Sequence, residues 1–178
     1  MLPSVTIQAF DQHLSALGLR FDGVVIGGSA LALMGVIQRE TQDFDIMVPD
    51  LPAEVAAAAL TFAVQQRSIG VHLKNEWLNN GPRSLADLLP DGWRGRVMRI
   101  YTGSAIVLDT LGRMDLLRSK LFALCDRSTD LADCLALTPS AQELSEISPW
   151  VEYQDTNPDW PAHVRATLAD LARRLGHV

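Results

Sequence analysis

The stretch VVIGGSALALMGVIQRETQDFDIMV, Val24 to Val48, narrows most sharply what this chain can fold into. A hydrophobic run meets two glycines, Gly27 and Gly28, and then a small-residue segment that opens at Ser29. That order is expected of a short buried strand turning into a helix. The second half, DFDIMV, has the pattern of another strand, closed by Pro49. On a strand, residues i and i+2 face the same side. Asp43 and Asp45 therefore point together, while Phe44 and Ile46 face the core. Two like charges this close are costly unless a cation sits between them. An alternating acid pair can also be plain solvent-facing polarity.

The turn offers chemistry of its own. Free backbone N–H groups where a strand gives way to a helix, together with the helix dipole, favour a phosphate. Glycines let that phosphate approach the backbone closely. Ser29 adds a hydroxyl, and equally serves as a helix cap. Either feature alone is common. Together, a phosphate-binding turn and an acid pair for a hard cation are what transfer from a nucleoside triphosphate needs. Mg²⁺ takes carboxylate oxygens and keeps positions open for phosphate. It neutralises the triphosphate and lowers the barrier electrostatically.

Composition sets the frame. A chain of 178 residues, 48% hydrophobic and 20% charged, suits one globular domain with room for a helical appendage. Apolar runs are broken well before the ~20 residues of a membrane span, and MLPSVTIQAFDQH lacks the layout of a signal peptide. The expectation is a cytoplasmic protein with no membrane partner. The formal charge of −6 argues against broad nonspecific nucleic-acid binding, though not against a local basic groove. Cys125 and Cys134 read as buried small hydrophobes, too few and too far apart for a metal site.

Periodicity predicts a helix over Ser4 to Leu19, strands FDGVVIGG and DFDIMVP, and a helix from Pro52 through Arg67. GVHLKNEWL, Gly70 to Leu78, is predicted as a strand. Two more follow, RGRVMRIY and SAIVLDTL, separated by the Thr102–Gly103 turn. After Gly112 the pattern is helical: Arg113 to Arg127, then a helix to Leu137 capped by Ser128 or Thr129, then one opened by Thr138–Pro139 with Ser140 and Glu143 at capping-box spacing. Ile147 to Pro161 reads as a proline-rich loop, with Trp150 and Trp160 as core anchors, and an amphipathic helix ends the chain. The fold class is α+β: a small mixed sheet with flanking helices over 1–110, followed by a helical part over 111–178 packed on it.

GGSALALMG…RETQDFDI resembles the nucleotidyltransferase superfamily, with its Gly-Ser, spacer and Asp-x-Asp. It is most similar to small bacterial nucleotidyltransferase-like proteins near the abortive-infection toxin family (AbiEii-like). The matching residues are Gly27, Gly28, Ala30 and Leu31, then Arg39, Thr41, Asp43 and Asp45. The resemblance implies that Asp43 and Asp45 hold Mg²⁺ and that Gly28–Ser29 hold the phosphates of a bound nucleotide. Two roles are open to Arg39, meeting a phosphate or pairing with Asp43 or Asp45. WLNNG, Trp77 to Gly81, is also similar to a segment of that group, where Asn79 orients a ligand or Trp77 simply anchors a turn. LLRSKLFALCDRSTDLADCLAL matches through Lys120, Ala123, Arg127, Asp130 and Asp133, and the resemblance carries an active-site role to Lys120 and Asp130. By helical geometry alone, Lys120 lies on or beside the apolar arc, where it snorkels to solvent or reaches a fixed anion. Asp130 and Asp133, three apart, share a helix face and also suit a helix's first turn.

One departure matters. Full nucleotidyltransferases carry a third acid on a neighbouring strand. Here the best candidate by local pattern is Asp109 in IVLDTL, with Glu76 second. Two functional readings follow from the resemblance. One is a Mg²⁺-dependent enzyme moving a nucleotide to an RNA or protein acceptor, as the toxin of a toxin–antitoxin or phage-defence pair with an antitoxin-like partner. The other is a catalytically inactive nucleotide- or partner-binding protein of the same fold.

Overall fold

Ile7, Phe10 and Leu14 recur at helical spacing, and helix α1 (Pro3–Ala16) buries all three. They pack against one face of a five-stranded mixed sheet in a computed structural model that describes residues 1–177. The strands are β1 (Phe21–Ile26), β2 (Phe44–Val48), β3 (Leu78–Asn79), β4 (Met98–Thr102) and β5 (Ile106–Thr110), in the order β3-β2-β1-β5-β4. Strand β1 runs antiparallel to β2 and parallel to β5. Strand β3 runs parallel to β2, and β4 antiparallel to β5. Helix α2 (Gly27–Leu33) follows β1, and α3 (Ala53–Ser68) follows β2. The structure is thus α+β, and no helix among the described residues is long and apolar enough to cross a membrane.

The chain divides into two compact units. The first comprises Met1–Asp87 and Gly92–Leu111. Its core joins α1 and α3 to Val25, Phe44, Ile46, Ile106 and Leu108 of the sheet. Trp77 is the hub of this core. Its ring meets Phe10 edge-on at 5.0 Å and Phe44 at 5.8 Å, and its indole N–H donates to the Ala59 carbonyl. Such pairs add about 1 kcal/mol each beyond area burial. Phe44 is held by that contact, so Asp45, the next residue of β2, is held on the other side of the sheet.

A buried carboxylate closes the first unit. Asp11 on α1 accepts N–H bonds from Ser104, Ala105 and Ile106 at 3.0, 2.9 and 2.7 Å, gripping the turn between β4 and β5. A Cβ at Gly103 would collide with it, which is why that turn needs glycine. Burial works against the charge of Asp11, but the three donors more than offset it and hold its pKa below the ordinary carboxylate value.

Two predicted elements differ in extent. The strand expected over Gly70 to Leu78 shrinks to Leu78–Asn79. Residues before it form turns instead, because Leu73 and Trp77 are buried individually and Arg67 ties down the Leu73 carbonyl at 2.6 Å. The strand expected from Arg94 begins at Met98, after a 3-10 turn over Trp93–Arg96 that buries Trp93 against the Ala86 carbonyl.

The second unit contains Leu88–Asp91 and the residues from Gly112 onward. It holds α5 (Arg113–Arg127), α6 (Leu131–Leu137), α7 (Ala141–Glu152) and α8 (Trp160–Arg174); the first unit also carries most of a short helix, α4 (Leu85–Leu88). The capping box at Ser140 and Glu143 forms as expected, and Arg113 also binds Glu143, holding its carboxyl down at about pKa 2. Helix α7 runs through Pro149, so half of the expected loop is helical. Asp130, rather than Ser128 or Thr129, stands at the start of α6. Trp160 is buried, and Trp150 donates to the Leu88 carbonyl. Both cysteines are free and buried, and burial pushes their thiols up to about 11 (Cys125) and about 12 (Cys134).

Replacing Asp11 with alanine is expected to destabilise the protein by roughly 3 kcal/mol, since three buried N–H groups lose a charged acceptor. Urea unfolding measures this. The Asp11 contribution is full above the ordinary carboxylate pKa of ~3.9 and is lost as pH falls through its lower folded value. The gap between wild type and D11A should therefore close on acidification.

Candidate functional site

The turn after β1 is built by two glycines with different duties. Gly27 has φ +76°, a conformation that side chains disfavour, and a Cβ on it would lie 2.8 Å from an Asp45 carboxylate oxygen. A Cβ on Gly28 would lie 3.1 Å from the Thr41 methyl and 3.5 Å from a nitrogen of Arg39. The backbone of this turn is thus approached from one side by Asp45 and from the other by Arg39 and Thr41. The helix begins at Gly27, two residues ahead of the expected start at Ser29. Ser29 itself is turned inward, 1% exposed, and its hydroxyl donates to the backbone carbonyl of Asp43. The Gly-Gly-Ser turn and the Asp-x-Asp segment are therefore fastened to each other.

Strand β2 carries Asp45, while Asp43 lies just before its first residue, Phe44. Phe44 and Ile46 are fully buried, while Asp43 and Asp45 are half-buried. Asp45 pairs across the ladder with Ile26 on one side and Asn79 on the other. The Asn79 amide nitrogen donates to Asp45 at 3.2 Å, and its oxygen accepts the Gly81 N–H at 2.7 Å. That second bond fixes which way the amide points. Asn79, predicted to orient a ligand or mark a turn, is the residue that orients Asp45. Its neighbour Asn80 was missed by sequence reasoning. Asn80 bonds the carbonyls of Ile46 and Pro49 and the Leu51 N–H, stapling the end of β2. The available signal was an Asn-Asn-Gly turn, whose side chains readily bond backbone groups.

The carboxylate of Asp43 stands apart. Among the described residues it makes no hydrogen bond or ion pair. Every other buried or half-buried carboxylate there has a partner: Asp11, Asp45, Asp109, Asp115, Asp130, Asp133, Glu143, Glu152 and Asp170. Close by in sequence, Thr41 is buried and its hydroxyl oxygen has no hydrogen-bond partner among the described residues.

The candidate third acids fare differently. Asp109 on β5 pairs with Val24 of β1, two residues from Ile26, which pairs with Asp45. Asp109 and Asp45 therefore share the sheet face opposite the core. Asp109 is gripped by Arg99 from the adjacent strand β4, through the Nε contact and a second at 3.5 Å. The Asp109 hydrogen bond raises the Arg99 pKa, with the charge of nearby Asp22 adding to it. Glu76 is exposed on the turn before β3.

Lys120 and Asp130 lie in the second unit. Lys120 is buried and does not snorkel. Its ammonium binds Asp130 and Asp133, each at 2.7 Å. The fixed anion open to it in the sequence is here an acid pair. Burial works against its charge, but the two carboxylates prevail and raise its pKa.

Asp43 and Asp45 suit a hard divalent cation by donor type: two carboxylates, with no thiol or imidazole among them. No group of three or more His, Cys, Asp or Glu converges among the described residues.

Residues 5–140 match a family model described as a nucleotidyltransferase of unknown function (DUF6036), and the chain belongs to that family. No curated protein and no solved structure matches it.

Gly27→Ala should cost about 2 kcal/mol, because it adds a clash with Asp45 to the positive-φ penalty. Gly18→Ala, at φ +69° with open space around it, should pay the backbone penalty alone. Thermal unfolding of the two variants separates the terms. Asp133→Ala, which leaves a buried ammonium short of one counterion, is expected to cost about 3 kcal/mol, against less than 1 kcal/mol for an exposed pair such as Arg83–Asp50; denaturant titration checks it.

Proposed function

We propose that this nucleotidyltransferase-family protein is a divalent-metal-dependent enzyme that moves a nucleotide from a nucleoside triphosphate to an RNA or protein acceptor. The observation that carries the reading is the bare, half-buried Asp43 carboxylate. It immediately precedes the strand that carries Asp45, and its backbone carbonyl is fastened by Ser29 to the two-glycine turn. A structural acid would have a partner, as every other acid at comparable burial has. An acid kept for a cation has a reason to go without one.

In this reading Asp43 and Asp45 hold Mg²⁺. When bound, Mg²⁺ neutralises the triphosphate and the charge that develops on the leaving pyrophosphate. Asn79 keeps Asp45 aimed, and Ser29 keeps the Asp43 backbone in place. Gly27 and Gly28 leave the backbone open to a phosphate, and Arg39, standing over Gly28, meets its charge with a forked donor. Thr41 offers its hydroxyl at the same turn. The acceptor oxygen forms a bond to the α-phosphorus and the bond to the β-phosphate oxygen breaks. Pyrophosphate leaves, and the acceptor proton passes to a carboxylate or to water. Positioning and electrostatics supply most of the acceleration in such chemistry. The resemblance to AbiEii-like toxins extends the proposal to a toxin–antitoxin or phage-defence role with an antitoxin-like partner. Lys120 and Asp130, which bind each other, enter as the ion cluster that joins α5 to α6.

A second reading, a nucleotide- or partner-binding protein without catalysis, is favoured by one observation: Asp109 is already paired with Arg99.

Calorimetry with ATP, GTP, CTP and UTP, each with and without Mg²⁺, tests the proposal. Binding is expected for at least one nucleotide, to require Mg²⁺, and to weaken at least tenfold in the Asp43→Asn/Asp45→Asn double variant. Once the acceptor is known, Asp43→Asn alone should lower kcat/KM by roughly 100-fold or more. A folded protein that binds none of the four nucleotides sinks the enzyme reading.

A further inference from the structure

The sheet ends in two unlike edges. Strand β3, at one end, is two residues long, while β4, at the other, runs five residues and pairs only with β5. Among the described residues no backbone hydrogen bond joins Met98–Thr102 to any segment but β5. One row of its N–H and C=O groups therefore faces away from the sheet, the template that a further strand needs. Such edges are blunted by proline, by a cover or by charge. Strand β4 contains no proline, and its protection is charge. Arg94, Arg96 and Arg99 fall within six residues, and all three are exposed. No Asp or Glu occurs from Gly92 to Leu108, in a chain whose formal charge is −6. Arg94 lies over the ring of Trp93, 4.5 Å from its centroid, and Trp93 is itself buried with its N–H on the Ala86 carbonyl. That guanidinium is thus anchored at the start of the edge. Arg99, held by Asp109, keeps 54% of its side chain exposed.

The sign of that charge decides what the edge accepts. A second copy laid antiparallel on β4 would bring arginine against arginine, and like charges facing each other across a ladder destabilise it. A segment with carboxylates at alternate positions meets the opposite sign. Its other side chains, on the opposite face of the strand, meet Met98, which is 38% exposed, and the half-buried Ile100. The irregularity between Arg99 and Tyr101 restricts the pairing to a short segment. We propose that β4 is a docking edge for an acidic, extended segment of a partner protein, which adds a strand to the sheet with its main chain bonded to Met98–Thr102 and its carboxylates in the field of Arg94, Arg96 and Arg99. The inference goes beyond nucleotide transfer and holds whether or not the protein catalyses it.

Fluorescence anisotropy of the full chain with three labelled peptides, in which Glu alternates with Val, Thr or Tyr, tests this. At least one is expected to bind and to slow hydrogen exchange at the amides of Met98–Thr102. Lys in place of Glu should abolish binding, and Arg94→Gln/Arg96→Gln should weaken it at least tenfold. N-methylation of the peptide separates strand addition from charge alone. Methylating one alternate set of its amides should abolish binding, and methylating the other set should leave it intact. This control leaves the protein unaltered, so it does not depend on the variants folding. Binding by none of the three peptides, equal binding of the two methylated forms, or unchanged exchange at β4 overturns the inference. So does tighter binding of a single-stranded RNA of equal charge that the same two substitutions abolish, which makes the edge a nucleic-acid surface. Dimers of the chain alone that protect the β4 amides also overturn it, by giving the edge to a second copy.

Discussion

The close approach of the Asp45 carboxylate to the Gly27 backbone governs how the rest of the first unit is arranged. A carboxylate cannot come this near a residue that carries a side chain, so the turn must be glycine. With Cβ absent, β1 can turn into α2 directly beneath β2, and Ser29 can reach across to the Asp43 carbonyl. That bond fixes the register of the acids against the turn. The hydrophobic side of β2 supplies the opposing force. Phe44 is locked against Trp77, and Ile46 is fully buried, so the strand cannot rotate its acids inward. The polar side of the site is thus held by the packing of the apolar side, and Asn79 and Asn80 secure the two ends of the same strand.

What the sequence made legible follows from which interactions are local. The Gly-Gly turn, the alternation of DFDI and the helical periodicity of α1, α3 and α5 are short-range patterns, and all appear where expected. The strand expected over Gly70 to Leu78 is another matter. Its apolar residues are spaced like a strand, but Leu73 and Trp77 are captured one at a time by α3 and the core, and the backbone between them is free to turn. Pro149 looked like a loop marker. A helix already nucleated by the Ser140–Glu143 capping box and anchored by Arg113 carries through it. The Asp11 grip on the β4–β5 turn joins residues more than 90 apart in sequence, and no local pattern announces it. In the site, the acid pair, the glycines, Arg39, Thr41 and Asn79 were all nameable from sequence. That Ser29 would face inward, and that Asn79 would serve Asp45, depended on strand order.

The second unit solves a different problem with the same chemistry. Its helix α6 is short, seven residues, and has no side-chain cap at all. Lys120 ties its first turn to α5 instead. By binding Asp130 at the start of α6 and Asp133 one turn later, it fastens α5 to α6 through an ammonium that burial would otherwise expel. Two carboxylates on one ammonium leave a net negative charge, and Arg127 sits 3.5 Å from Asp130 to balance it. Arg113 does the equivalent work between α5 and α7. It takes the Glu143 carboxylate that already serves the capping box, so a single acid both starts one helix and holds another.

Set beside one another, the acids of this chain separate by what they cost. Asp11 is more buried than Asp43, yet three N–H donors make its charge an asset. Asp130 and Asp133 share a cation, Glu143 has a guanidinium and a cap, and Asp109 has Arg99. Folding alone would favour the same treatment for Asp43, because a half-buried charge beside a second charge weakens the structure unless something neutralises it. Among the described residues nothing does so, although neighbouring positions are filled by residues able to donate. An unbalanced acid between a two-glycine turn and the start of β2 is a local inconsistency that the proposed cation would relieve. Among the described residues, Asp43 is the half-buried acid that the fold leaves without a partner.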